Sequence, residues 1–303
     1  MKNNREPKQK CFTFSACGKT PSKRGLHVLR SVVSYEGREK TKTFLEVAIM
    51  AAKEAGKVHK KYFNKKIMIT PKTTSFDLVT TADIESEEAI VTTIKKNFAD
   101  HNFLAEENKY KTTSSAYTWI IDPLDGTNNF VCGMPIFCVS IALAKEDNVL
   151  VGVIYDAIHD ELFYAQKNKG AFCNGKKMSI SGTTTLQQSL LITGFYYDRG
   201  EQMRKNLGYI YSFLRKRILG VRRFGAAALD LCHIACGRAS GYWEFKLNPW
   251  DFAAGMLLVQ EANGKITDQK VKKLCLQPSF VVASNGKIHN QMLRILRSNY
   301  FKK

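Results

Sequence analysis

One short segment restricts the possible fold and chemistry of this chain more than any other. The apolar run Trp119–Ile121 ends abruptly in Asp122, and a second aspartate follows at Asp125. Pro123 fixes its own φ and drives Asp122 toward extended geometry, while Gly126 permits a sharp turn. The pattern predicts a β-strand that ends in a stiff turn carrying two carboxylates. Such a turn is either an ordinary Asp/Pro/Gly turn or a site for a hard cation such as Mg²⁺.

Three further segments supply acidic residues that a metal site of this kind needs. An apolar run at 103–105 ends in an acid pair, and another acid lies in the first turn of a predicted helix that starts near Pro249. A third acid stands three residues after Thr80. The helix dipole and a capping box also explain the last two acids, so each has a purely structural interpretation as well. The acids are Glu106 with Glu107, Asp251 and Asp83.

The four segments together resemble the inositol monophosphatase family, within the superfamily of Mg²⁺-dependent, lithium-sensitive phosphatases. The resemblance extends from about Thr43 to the C-terminus, and its motifs occur in the family's order. A Gly-Ala-Phe-x-Asn-Gly segment at 170–175 adds to it, and residues 243–251 are closer to bacterial than to animal members. The main motifs are Asp-Leu-Val-Thr-x-x-Asp (77–83), Glu-Glu (106–107), Trp-Ile-Ile-Asp-Pro-Leu-Asp-Gly-Thr-x-Asn-Phe (119–130) and Pro-Trp-Asp-x-Ala-Ala-Gly (249–255).

The resemblance implies an α+β fold, a layered α/β/α/β/α sandwich of two mixed subdomains with the metal site where they meet. The residue patterns agree with it. Helical spacing at 44–63 and 82–98 is followed by a block of short strand-like runs, and the second half of the chain then alternates between predicted strands and helices. We expect residues 43–303 to form the catalytic domain, with subdomains of about 43–185 and 186–303. Gly264 is expected to cap the helix that starts near Trp250.

The cofactor implied by the resemblance is Mg²⁺. Its expected ligands are the side chains of Glu106, Asp122, Asp125 and Asp251, together with the main-chain carbonyl of Leu124, and Glu106 is also assigned to catalysis. Metal ions in such a site neutralise the phosphoryl oxygens, lower the pKa of the attacking water and stabilise the departing oxygen. Lithium is expected to inhibit by displacing a Mg²⁺.

The resemblance also assigns the groups that act on water and on substrate. Thr127 and Asp83 fall on a family pair in which a carboxylate orients the threonine hydroxyl that holds the nucleophilic water. The backbone N–H groups of Gly126 and Thr127 are expected to cradle the phosphate. The residues expected to contact the leaving alcohol are Asp125, Gly225, Ala227 and Glu244.

Several further positions are less tightly tied to the family. Lys72 matches a lysine on a mobile loop and is expected near a third metal. Ala105 stands where glycine usually precedes the acid pair, and Ala226 stands where many members have a hydroxyl residue, which puts the substrate in doubt rather than the reaction. Arg222 and Arg223 are open to three interpretations: contact with a substrate charge, contact with a neighbouring subunit, or simple solvation.

Charge and composition limit the possible partners. The net charge is +19 over 303 residues, and residues 1–43 carry 11 Lys/Arg against three acids, so residues 1–42 are predicted to be a disordered basic extension. No run approaches 18 uninterrupted apolar residues, which argues against a membrane span. Eight cysteines without a Cys-x-x-Cys indicate reduced thiols and a cytoplasmic location. The basic character favours encounter with phosphorylated substrates and weak association with nucleic acid.

The sequence therefore predicts a Mg²⁺-dependent phosphomonoesterase that acts on myo-inositol monophosphate and related sugar or polyol phosphates. By the same resemblance a homodimer is expected. Two alternatives stay open. One is a related phosphatase for fructose 1,6-bisphosphate, histidinol phosphate or a 3′-phosphonucleotide, and the other is a phosphatase that also serves as an RNA- or protein-binding factor.

Overall fold

The computed structural model describes residues 42–72, 77–195 and 200–298. The predicted basic extension therefore lies, except for Lys42, outside the described residues. Within the described ranges, no helix is both long enough and apolar enough to span a membrane.

The first half of the described chain opens with a helix whose start is fixed by a capping box, in which the Thr43 and Glu46 side chains satisfy each other's backbone N–H groups. The elements of this half are α1 (Phe44–Tyr62), β1 (Ile69–Pro71), β2 (Leu78–Thr80), α2 (Thr81–Lys95), β3 (Asn102–Ala105), β4 (Tyr117–Asp125), α3 (Thr127–Val131), β5 (Cys138–Lys145), β6 (Asn148–Asp156), β7 (Glu161–Gln166), β8 (Ala171–Cys173) and β9 (Lys176–Lys177).

The second half alternates between strands and helices, as its sequence pattern predicts. Its elements are β10 (Leu190–Thr193), α4 (Glu201–Arg215), β11 (Gly220–Arg222), α5 (Ala227–Ala235), β12 (Gly241–Leu247), α6 (Pro249–Glu261), β13 (Lys265–Thr267), β14 (Ser279–Ser284) and α7 (His289–Leu296). A short 3₁₀ turn, Leu186–Gln188, precedes β10.

The strands form two large sheets and one small hairpin. The first sheet has the order β3-β4-β5-β6-β7-β8-β9, in which only β3 and β4 run parallel. The second has the order β11-β10-β12-β14-β13, with β10 parallel to both of its neighbours. Strands β1 and β2 pair antiparallel with each other.

Three apolar cores hold five layers together. Helices α1 and α2 cover the outer face of the first sheet, α5 and α6 lie between the two sheets, and α4 and α7 cover the outer face of the second. The predicted α/β/α/β/α sandwich is confirmed. Because both faces of the first sheet are covered, its central strands are apolar at nearly every position.

Strand β4 shows how this layering directs the site. Trp119 and Ile121 pack toward α1 and α2, whereas Ile120 between them packs toward α5 and α6. Successive side chains of a strand point to opposite faces, so a single uninterrupted apolar run serves two cores. The apolar run ends at Asp122, and β4 continues to Asp125 with Leu124 packed in a smaller apolar cluster with Ala82, Phe130 and Phe137.

Helix α6 is buried on almost every side between the two sheets. Small residues allow this close approach: a Cβ on Gly152 of β6 would lie 2.8 Å from the Ala254 carbonyl oxygen, and a Cβ on Gly255 would lie 2.6 Å from the Leu231 side chain. The helix is therefore fixed against β6 and α5, and its N-terminal turn, which carries Asp251, is fixed with it.

The expected cap of α6 at Gly264 was wrong. The residue in the left-handed region is Asn263, with a φ of 66°, because asparagine tolerates that conformation better than other non-glycine residues. Gly264 is required for a different reason: a Cβ there would lie 2.9 Å from the Ser284 carbonyl oxygen of β14.

Candidate active site

The site begins at the turn that ends β4. Pairing between β4 and β5 is interrupted between Asp122 and Asp125, so the strand bulges there. The Leu124 N–H donates to Asp122 Oδ1 over 3.0 Å, which closes the turn on itself. Gly126 has a φ of 97°, and a Cβ on it would lie 2.9 Å from the Ile136 carbonyl oxygen. Only glycine fits this position, so the turn geometry is rigidly determined.

A buried histidine supports the turn from behind. Nε2 of His59, on α1, lies 2.8 Å from the Pro123 carbonyl oxygen. A carbonyl only accepts hydrogen bonds, so Nε2 carries the proton. Burial lowers the pKa of His59 to about 4, which keeps the ring neutral. The sequence pattern placed His59 on the inner face of a helix but gave no sign of its partner, which is 64 residues away.

Glu106 lies beside this turn because β3 runs parallel to β4. Its N–H donates to the Ile121 carbonyl over 3.2 Å, one residue before Asp122. The Lys72 Nζ lies 2.8 Å from Glu106 Oε1 and 2.5 Å from Glu107 Oε1. Although burial opposes its charge, the two carboxylates raise the pKa of Lys72. The Glu106 carboxylate thus binds a cationic group of the protein itself.

Glu87 of α2 holds the loop that carries the acid pair, and the sequence analysis missed it. Its carboxylate accepts from the Glu107 N–H at 3.0 Å, the Asn108 amide at 2.8 Å and the Tyr110 hydroxyl at 2.8 Å. Glu87 is fully buried on the inner face of the helix. The sequence signal was an acid at a position of α2 that faces the core, where acids are rarely found unless they are paired.

Asp251 reaches the site from α6. Its Oδ2 accepts from the Asn248 N–H over 2.7 Å and completes a capping box at the start of the helix. The capping explanation for this acid is correct as far as it goes. The same residue also lines the pocket that Asp122 and Asp125 line, so the local and the functional interpretations are compatible.

Asp83 also does two things. Its Oδ2 accepts from the Thr80 N–H at 2.8 Å and the Thr80 hydroxyl at 2.6 Å, which is the predicted capping arrangement. Its Oδ1 accepts from the Thr127 hydroxyl at 3.0 Å, 44 residues away. Burial raises the pKa of Asp83 to about 6 despite these hydrogen bonds. The carboxyl therefore titrates close to neutrality while it contacts Thr127.

The acids of the site strongly disfavour one another's ionisation. Burial first, and then the Glu106 carboxylate, raise the pKa of Asp122 and of Asp251 well above the usual range. Burial also raises the pKa of Asp125 to about 7, although the Ala228 N–H donates to Asp125 Oδ2 over 2.7 Å. As the side chains lie in the described ranges, no group of three or more His, Cys, Asp or Glu residues is arranged so that it could hold a metal ion.

Glu244 of β12, which is expected to contact the leaving alcohol, lines the pocket from the second large sheet. The Tyr242 hydroxyl donates to Glu244 Oε2 over 2.7 Å, and burial raises the pKa of Glu244 to about 7. Gly194, just after β10, lies so close to this carboxylate that a Cβ there would overlap the Glu244 oxygens. The sequence analysis did not identify Gly194 or its neighbour Phe195 as site residues.

One pocket of about 120 Å³ brings together most of the predicted residues. Asp83 and Lys72 do not line it, but each contacts a residue that does. Ala226 is packed in the central core and does not line it either, so a hydroxyl side chain at that position is not an obvious substrate contact. The predicted residues that line the pocket are Glu106, Asp122, Leu124, Asp125, Gly126, Thr127, Gly225, Ala227, Glu244 and Asp251.

The sequence profile of the inositol monophosphatase family matches residues 40–300. This chain belongs to the inositol monophosphatase family. It is 41% identical over 255 residues to an inositol-1-monophosphatase of Synechocystis, covering 84% of this chain and 88% of that protein. It is 38% identical over 265 residues to the Nus factor SuhB of Pasteurella multocida, covering 86% of this chain and 98% of that one. Membership of the inositol monophosphatase family supports phosphatase activity.

Solved structures of inositol monophosphatase relatives share the fold. The extragenic suppressor protein SuhB from Bartonella henselae superposes with a TM-score of 0.80 at 35% identity, covering 84% of this chain and 98% of that one. An IMPase/NADP phosphatase complexed with Mg²⁺ and phosphate superposes with a TM-score of 0.71 at 28% identity, covering 82% and 92%.

Removing the Asp125 carboxylate should flatten the pH dependence of stability in the chelated protein. Its pKa is about 7 in the folded state against an ordinary value of 3.8, so the folded state retains a proton that the unfolded state loses. This contribution to the free energy of unfolding is fully present below about pH 4 and is lost as the pH rises through about 7. Urea unfolding in EDTA measures how far the free energy of unfolding decreases from pH 5 to pH 8. Asp125→Asn should make that decrease smaller by about 2–3 kcal/mol.

Asp147 provides the control for this experiment, because it is exposed in the β5–β6 turn. Asp147→Asn should keep the wild-type pH dependence. Buried histidines act equally in all three proteins, so their contribution cancels in the comparison. Asp122, Asp251 and Glu244 lose the repulsion of Asp125 in the variant, so their pKa values fall and their share of the pH dependence decreases with that of Asp125. If the free energy of unfolding of Asp125→Asn decreased with pH as steeply as that of wild type, the raised pKa of Asp125 would be contradicted.

Proposed function

We propose that this pocket hydrolyses phosphate monoesters in a Mg²⁺-dependent reaction, with myo-inositol monophosphate as substrate. The observation that carries the proposal is the convergence of acids from three separate segments on one pocket, next to the Thr127–Asp83 pair. The names of the Synechocystis inositol-1-monophosphatase and of the relative complexed with Mg²⁺ and phosphate support it. Lithium inhibition, a homodimer and a cytoplasmic location belong to the same proposal.

The residues present fit Mg²⁺. The candidate ligands are all oxygens, which hard divalent cations prefer, and their mutual repulsion favours a cation among them. Lys72 already shows that the Glu106 carboxylate attracts positive charge. Asp122, Asp125, Asp251, Glu106 and the Leu124 carbonyl would hold the metal. When bound there, Mg²⁺ supplies neutralisation of phosphoryl charge and a lowered pKa of water.

Thr127 and Asp83 form a path for the proton of the attacking water. The Thr127 hydroxyl has one hydrogen and two acceptors at 3.0 Å, Asp83 Oδ1 and the Leu124 carbonyl oxygen. When the hydrogen points to Asp83, the Thr127 oxygen can accept a hydrogen bond from water. As the water attacks phosphorus, its proton passes to Thr127 Oγ1 while the Thr127 hydrogen passes to Asp83. A pKa of about 6 allows Asp83 to be ionised before the step and to hold the proton after it.

Glu244 and the start of α5 would bind the leaving alcohol. The Tyr242 hydroxyl occupies one oxygen of Glu244, and the other is available to accept from substrate hydroxyls. Ala227 lines the pocket at the first turn of α5, one residue before the Ala228 N–H that fixes Asp125. The leaving group is thereby placed next to a proposed metal ligand.

Neutralising either of two acids should abolish turnover while leaving the fold intact. Asp122→Asn and Asp251→Asn each remove an anionic ligand, and several kcal/mol of lost charge stabilisation corresponds to a fall in kcat of about 10³-fold or more. Phosphate release from myo-inositol 1-phosphate in Mg²⁺, with circular dichroism of each variant, checks this. Asp147→Asn should remain fully active. Turnover at the wild-type rate in Asp122→Asn or Asp251→Asn would contradict the proposed mechanism.

Asp83 and Thr127 should behave as one catalytic unit. Asp83→Asn and Thr127→Val should each lower kcat by about 10²- to 10³-fold, and the double variant should be no worse than the poorer single variant. Thr80→Ala is the matched control, since it removes the Thr80 hydroxyl bond to Asp83 but leaves Thr127 untouched. It should cost about 1 kcal/mol of stability and retain most activity above pH 7. Because the Thr80 hydroxyl helps to lower the pKa of Asp83, the acid limb of the pH profile should move upward in this variant. Additive losses in the double variant would contradict a shared proton path.

The related superfamily phosphatases stay open as alternatives to an inositol phosphatase. Their reaction uses the same acids, so the variants above do not separate them. A comparison of kcat/KM for myo-inositol 1-phosphate, fructose 1,6-bisphosphate, histidinol phosphate and a 3′-phosphonucleotide would do so. The substrate with the highest kcat/KM identifies the class.

A second candidate function is association with RNA. It is supported by the net charge of +19 and by the Nus factor SuhB name of a relative that aligns over 86% of this chain. Affinity for single-stranded RNA, measured by fluorescence anisotropy, should fall steeply between 50 and 200 mM salt, by about 10³-fold if several phosphates are contacted. Asp122→Asn should bind RNA like wild type, and a chain lacking residues 1–40 should bind more weakly. Salt-independent or undetectable binding would exclude this role.

A further inference from the structure

The pocket contains one cationic side chain among the described residues that line it, and that side chain is Arg223. It follows β11 and lies on the leaving-group side, with Gly194, Phe195 and Glu244. All other charged residues lining the pocket in the described ranges are acids. A cation at this position changes which leaving groups an otherwise acidic pocket can accept.

The loop around Arg223 is anchored to the catalytic turn. The Asn129 amide of α3 donates to the Phe224 carbonyl at 2.8 Å and to the Ile136 carbonyl at 2.7 Å. Gly225 has a φ of 85°, and a Cβ on it would lie 3.2 Å from Arg223 Nη1. The guanidinium thus lies directly over Gly225, and the loop below it cannot drift away from the site.

Arg223 faces buried acids of the protein without touching them. Within residues 42–72, 77–195 and 200–298 it forms no hydrogen bond or ion pair. It acts through space on two buried carboxyls, lowering the pKa of Glu244 and of Asp230 against the larger effect of burial. Lys72, by contrast, touches both of its acidic partners, Glu106 and Glu107. The donors of Arg223 remain open to a ligand.

The neighbouring arginine shows the contrast. Arg222 Nη1 donates to the Val221 carbonyl at 3.1 Å, back along its own strand, and Arg222 does not line the pocket. Both arginines are exposed and carry the same charge. Only Arg223 points its charge at the site.

We infer that Arg223 selects phosphate monoesters whose leaving alcohol carries a second anionic group, a phosphate or a carboxylate. The inference rests on the proposed phosphatase function and adds a preferred subclass to its substrates, because the alcohol released from myo-inositol monophosphate is neutral. A guanidinium presents a planar fork that matches phosphate and carboxylate oxygens. Without it, the ionised acids of the pocket would repel a second anion.

Two matched substrate pairs test this inference at different anion distances. One pair is glycerol 2-phosphate with 2-phosphoglycerate, and the other is fructose 1-phosphate with fructose 1,6-bisphosphate. In Mg²⁺, wild type should have a kcat/KM at least about 10-fold higher for the doubly anionic member of one pair. Arg223→Gln should lower that value by about 10- to 100-fold and change the singly anionic partner by less than about threefold. Arg223→Lys should retain part of the preference, and Arg222→Gln should retain all of it.

Two outcomes overturn the inference. One is a wild-type enzyme with no preference in either pair, and the other is an equal loss on both members of a pair in Arg223→Gln, which would indicate a structural role. Binding supplies a readout that does not depend on turnover. Calorimetric binding of fructose 6-phosphate, with inorganic phosphate and Mg²⁺ present, should weaken in Arg223→Gln and not in Arg222→Gln.

The binding measurement also separates failure of the inference from failure of the proposed function. If wild type hydrolyses none of the four esters, the phosphatase proposal fails, yet selective loss of fructose 6-phosphate binding would still establish the anion subsite at Arg223. If the esters are hydrolysed and binding is equal in all variants, the anion subsite is refuted and the phosphatase proposal stands.

Discussion

Repulsion among buried carboxylates is the constraint on which the rest of this structure depends. Two like charges 4 Å apart repel by about 4 kcal/mol at the effective dielectric constant of a protein surface, and this pocket gathers acids from several segments. The chain holds them there with backbone that has little freedom: a proline and a left-handed glycine in the β4 turn, and a capped helix start at α6. The fold therefore holds these acids together although burial and mutual repulsion oppose their ionisation, and the proposed Mg²⁺ would relieve that repulsion.

That arrangement explains why residues with ordinary structural roles occupy the site. Asp83 uses one oxygen to cap α2 and the other to accept from Thr127. Asp251 uses one oxygen to cap α6. A carboxylate held by backbone N–H groups cannot swing away from its neighbours, so capping supplies the orientation that a metal ligand or a proton acceptor needs. The structural role does not compete with the proposed chemical one, because the two use different atoms.

Sequence patterns predicted the parts of this arrangement that are local. Helical spacing, the apolar run of β4 and the turn at 122–126 each depend on residues within a few positions of one another, and the layered fold was confirmed. The contacts that fix the site join residues far apart in the chain. His59 with Pro123, Glu87 with Tyr110 and Asn129 with Phe224 are pairs that only the tertiary fold creates. The wrong cap at Gly264 has a related cause, since close approach to Ser284 of β14 and to Val259 of α6, rather than a left-handed conformation, requires that glycine.

The two halves of the chain divide the site between them. The β4 turn, the loop after β3 and the starts of α2 and α3 supply the proposed reaction groups. The residues proposed to surround the leaving alcohol come from β12, the end of β10 and the loop before α5. Asp251 is the exception, because α6 comes from the second half and completes the acid set. This division allows the leaving-group side to change without loss of the chemistry. A side chain such as Arg223 can alter which alcohol is accepted because it touches none of the proposed metal ligands, while the acids that define the reaction stay fixed by the first sheet and by α6.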